Sequence, residues 1–65
     1  MWTVIYIARS KSIAKHLKDI LAQSGIIARL HPLYDATVAD DGSIEVLVPE
    51  SEVEQAHEII IDSDF

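Results

Sequence analysis

Glu54 and His57 form Glu-x-x-His, a spacing that sets a carboxylate and an imidazole on one face of a helix. Di-iron bundles use this pair, but they need two such motifs on facing helices and further carboxylates. The chain has one, and its other histidines, His16 and His31, belong to different segments. No metal site is therefore expected, and no cofactor. Asp40, Asp41, Gly42 and Glu45 have the composition of a calcium loop without its spacing. If Gly42 is the loop glycine, the first, third and twelfth ligand positions fall on Thr37, Ala39 and Val48, none of them a carboxylate. Ser12-Ile-Ala-Lys15 matches the Ser-x-x-Lys of penicillin-recognising enzymes, but its companion motifs are absent. Two glycines in the whole chain exclude the usual Gly-rich phosphate loops. No nucleophile–base pair is legible. The chain is read as a non-enzyme with no catalytic residue.

Contact, rather than catalysis, is what the charges describe. All five basic residues (Arg9, Lys11, Lys15, Lys18, Arg29) lie in the first 29 positions, and ten of the eleven acids lie from Asp35 onward. Such a split suits two unlike halves that complement each other or a second copy. Lys11, Lys15 and Lys18 share one helical face, most simply a solvated one. The net charge of −6 opposes nucleic-acid binding. RNA-binding plaits also present stacking aromatics on their central strands, whereas Trp2 and Tyr6 share a single strand here. No nucleic-acid partner is expected.

Sixty-five residues suffice for a single domain, 1–65, and a domain this short buries only about 60% of its unfolded surface. There is no cysteine, so stability has to come from core packing or from oligomerisation. The apolar fraction of 49% is enough for a core and argues against disorder. No cationic stretch precedes the apolar residues at Trp2, and no run approaches the roughly 20 apolar residues of a membrane span. A soluble, cytoplasmic protein is expected, with no membrane partner.

The elements follow from periodicity. Trp2–Ile7 is β-branched and aromatic and reads as a strand, with Trp2, Val4 and Tyr6 on one face and Ile5 and Ile7 on the other. A strand apolar on both faces is normally covered on both. Ser10 or Ser12 caps a helix over 11–24, where Ile13, Leu17, Ile20, Leu21 and Ser24 recur at helical spacing and Gly25 supplies the stop. A half-buried strand over 26–31 ends at Pro32. Residues 34–43 have turn composition. Ile44–Val48 is a third strand. Ser51 and Glu54 match a capping box for a second helix over 52–62, with Val53, Ala56, His57 and Ile60 on one face and Glu54, Glu58 and Asp62 outside.

The order strand, helix, strand, strand, helix predicts an α+β fold, a ferredoxin-like plait of order β-α-β-β-α. Its three-stranded antiparallel sheet has strand order 1-3-2, and both helices cover one face. The first strand becomes an open edge, which invites pairing with another chain. The uncovered sheet face would carry Arg29, His31, Glu45 and Leu47. Two placements stay open for Trp2 and Tyr6: the core, or the uncovered face beside Val4 and Leu47.

Tyr6-Ile-Ala8, a helix ending Ser24-Gly25-Ile26 with Ala28 two residues on, and Val46-Leu-Val-Pro-Glu50 before an acidic helix together resemble a small bacterial family of prokaryotic signal-transducing proteins. The resemblance spans nearly the whole chain and rests on structural motifs. It implies a fold similar to the nitrogen-regulatory PII (GlnB-like) proteins and carries over no catalytic residue. The Lys-rich first helix and the Asp-rich stretch at 35–42 depart from that family's pattern.

The functional expectation is a non-enzymatic regulatory or interaction module, a signal-transducing protein that works as a homo-oligomer (dimer or trimer) and contacts a protein partner. Trp2, Val4, Tyr6 and Leu47 form its interface. The alternative is a small-effector or metal-binding module with its site between subunits, Arg29, His31 and Glu45 supplying the polar contacts.

Overall fold

A computed structural model describes residues 1–32 and 43–63. In chain order they form β1 (Trp2–Ala8), α1 (Lys11–Gln23), β2 (Arg29–Pro32), β3 (Ile44–Pro49), a 3₁₀ turn (Glu50–Glu52) and α2 (Val53–Asp62). The sheet has strand order β1-β3-β2, and β3 runs antiparallel to both neighbours. This is the expected β-α-β-β-α plait. The expected turn at 34–43, with Asp35, Asp40, Asp41 and Gly42, lies almost wholly outside the described residues.

Local chemistry sets the bounds of α1. Ser10 has extended backbone, and its hydroxyl accepts from the Ile13 N–H at 3.3 Å. At the other end Gly25 takes φ +83°. The Gly25 N–H donates to the Ala22 carbonyl and the Ile26 N–H to the Leu21 carbonyl, each at 3.0 Å, the two bonds of a Schellman stop. That second bond explains why β2 begins at Arg29 rather than at residue 26. Ile26 is tied back to the helix, while its side chain and that of Ala28 enter the core.

The capping box does not form. Beyond Pro49 the chain turns directly into the 3₁₀ segment, so Ser51 already lies in a helical turn instead of the extended conformation a cap requires. Glu52 takes the N-cap position of α2 without a side-chain bond. Acids at Glu50, Glu52 and Glu54 still suit the positive end of the helix dipole.

One cluster holds the layers together. Ala14, Leu17 and Leu21 of α1 and Ala56 and Ile60 of α2 meet Ile44, Val46 and Val48 of β3, with Ala8, Ile26 and Ala28 completing the buried set. Ile44, Val46 and Val48 alternate with Glu45, Leu47 and Pro49, so one face of β3 is buried and the other lies on the far side of the sheet.

Leu17→Ala should cost about 2–5 kcal/mol through the cavity it leaves. Gly25→Ala, where an added Cβ meets nothing within 4 Å, should cost about 1–2 kcal/mol through backbone strain alone. Urea denaturation checks both. A neutral Gly25→Ala would show that the helix stop does not need the left-handed conformation.

Candidate functional site

Cross-strand register builds the surface opposite the helices. In β1, Trp2 pairs with Pro49, Thr3 with Val48 and Val4 with Leu47; Tyr6 then pairs with Val46, Ile7 with Glu45 and Ala8 with Ile44. The register slips at Ile5, a β-bulge in the middle of the strand. Directly opposed residues share a face. The bulge therefore moves Tyr6 to the core side, opposite buried Val46, and turns Ile7 outward. On the other flank Arg29 pairs with Leu47 and His31 with Glu45.

Two rows result on the open face: Val4, Leu47 and Arg29 across the three strands, then Ile7, Glu45 and His31. Trp2 and Pro49 lie beyond the first row. Val4 is 40% exposed and Ile7 54%. Ile27, 72% exposed between buried Ile26 and Ala28, carries the same alternation into Arg29.

Tyr6 requires a correction. Strict alternation put it on one face with Trp2 and Val4, the core or the uncovered side, and the interface reading took the uncovered side. Instead it packs against the core with Ile5 and Leu30. Trp2, Val4 and Leu47 do lie on that face, and Ile7 joins them. A bulge between two large apolar residues changes no hydropathy pattern, so nothing in the sequence signalled the exchange of Tyr6 for Ile7.

The polar members of this face come together as two contacts. The Arg29 guanidinium carbon stands 4.3 Å from the centre of the Trp2 ring, diagonally across β3. Such stacking is worth about 0.5–1 kcal/mol at an exposed site. His31 Nδ1 lies 3.0 Å from Glu45 Oε1. A carboxylate only accepts, so Nδ1 carries the proton and donates it. With His31 68% exposed, water screens this pair, and it orients the ring more than it stabilises the fold.

Other sequence candidates remain apart. His16 and His57 are exposed on α1 and α2, in the helical layer rather than on the open face of the sheet. Among the described residues no three His, Cys, Asp or Glu side chains converge as a metal would need. Lys11, Lys15 and Lys18 are exposed on α1, as are Glu54, Glu58 and Asp62 on α2. No described helix is long and apolar enough to cross a membrane. Comparison with protein-family models, with curated proteins and with solved structures found no match.

Trp2 is the chain's sole tryptophan, so its fluorescence reports on this face alone. Arg29→Ala should shift the Trp2 emission while lowering stability by less than about 1 kcal/mol. An unchanged spectrum would mean the guanidinium does not rest on the ring in solution.

Proposed function

We propose that the protein is a non-enzymatic regulatory or interaction module, acting in the cytoplasm as a homo-oligomer, with β1 as the element at which copies meet. One observation carries the reading. β1 is a seven-residue strand, apolar on both faces, and among the described residues only β3 lies beside it. The helices cover its core face, while Val4 and Ile7 stay in water on the other. Covering the rest of either side chain is worth on the order of 1 kcal/mol. Native proteins blunt such edges with charges, proline or bulges; β1 carries no charge and no proline, and its bulge leaves Val4 and Ile7 exposed. The resemblance to the prokaryotic signal-transducing family supports a regulatory role for such an assembly.

Light scattering at micromolar concentration tests this. A dimer or trimer mass is expected, and a strict monomer would contradict the reading.

The polar contacts on the same face favour a second reading. Arg29, His31 and Glu45 would line the margin of a subunit contact and offer a cation, the lone pair of the His31 Nε2 and a carboxylate to a small effector or a metal ion. A thermal-shift survey with nucleotides, carboxylates and divalent ions separates the two readings. A raised midpoint with one class supports an effector site, and no shift with any class supports protein contact alone.

A further inference from the structure

We propose that two copies join along their β1 edges, antiparallel about a two-fold axis, in the register that sets Val4 opposite the partner's Ile7. This rests on the self-association argued above and specifies its geometry. The bulge selects the register. Along β1, Val4 and Ile7 face the open side, while Thr3, Ile5, Tyr6 and Ala8 belong to the core side. Paired strands must set residues of one face opposite each other. An axis through Ile5 puts Val4 against the partner's Tyr6, and an axis through Tyr6 puts Val4 against the partner's Ala8. An axis between Val4 and Ile5, or between Tyr6 and Ile7, sets those unlike neighbours against each other. An axis through Val4 or through Ile7 matches the central pairs but then sets Trp2 against the partner's Tyr6, or Ile5 against the partner's Arg9; an axis between Ile5 and Tyr6 matches every pair: Thr3 with Ala8, Val4 with Ile7, Ile5 with Tyr6. Two bulged strands thus fit each other there, because each carries its extra residue at the same place.

Charge points to the same occupant. No residue of β1 is charged, so pairing it with itself opposes no like charges. The other edge, β2, carries Arg29 and His31 and ends in Pro32, which lacks a ladder donor. The β1 register also brings the partner's Arg9, exposed where the strand ends, beside Trp2 at each end of the ladder. That repeats the cation–indole chemistry that Arg29 uses within the protomer. A two-fold contact closes on itself and stops at the dimer. The product is a six-stranded sheet of order β2-β3-β1-β1-β3-β2, with all four helices on one side.

The chain has no cysteine, so introduced thiols report cleanly. Val4→Cys and Ile7→Cys proteins are mixed under mild oxidation. Directly opposed residues of antiparallel strands stand about 4.5–5.5 Å apart at Cα, within disulfide reach. Two copies of Val4 would be about 10 Å apart in this register, beyond it. The expected result is a covalent heterodimer in the mixture and little homodimer from either variant alone. Charge pairs give a second readout that needs no oxidation. Val4→Glu and Ile7→Lys should each weaken self-association about tenfold, and an equimolar mixture should restore it. Unmodified protein that scatters as a dimer, with variants that neither cross-link nor rescue, would overturn this register and leave the oligomer reading intact. A monomer at every concentration would overturn both.

Discussion

Two short helices cover one side of a three-stranded sheet and no more, and that constraint shapes this protein. The Cα envelope measures 32 × 25 × 15 Å, one sheet and one helical layer thick. β3 fits the arrangement: Ile44, Val46 and Val48 turn to the helices and Glu45 turns away. β1 does not fit it, because its apolar residues outnumber the places beneath the helices. The bulge at Ile5 eases the mismatch by sending Tyr6 inward, but it sends Ile7 out. An apolar side chain therefore remains in water whichever way the strand is set, and covering it is the driving force on which the proposed function rests.

The fold was largely legible in the sequence because its signals were local and redundant. Ser10, the spacing of Leu17 and Leu21, and Gly25 each bounded α1 independently. The alternation in β3 fixed which of its faces is buried. Errors arose where one signal had two structural answers. Ile26-Ile-Ala alternates as a strand would, yet the helix stop takes the Ile26 N–H and delays the ladder to Arg29. Ser51 and Glu54 have cap spacing, but the chain reaches them already turning. Ile5 and Tyr6 are both large and apolar, so either can face the core, and only the pairing with β3 decides between them.

The surface was legible in part. Arg29, His31, Glu45 and Leu47 lie on the open face because they alternate with Leu30, Val46 and Val48, which turn to the helices. Their mutual contacts were not legible. The stacking of Arg29 on Trp2 spans the sheet diagonally, from one edge strand to the other, and depends on strand order as well as register. The His31–Glu45 pair joins the two halves of the chain across β2 and β3, and the lysines of α1 and the acids Glu54, Glu58 and Asp62 of α2 lie exposed on their helices.

Amide hydrogen exchange of residues 2–8, compared between dilute and concentrated protein, tests the central claim most directly. If β1 is where copies meet, its amides gain protection as concentration rises, while those of Arg29–His31 on the opposite edge do not. Exchange in β1 that is equally fast at both concentrations would contradict the account.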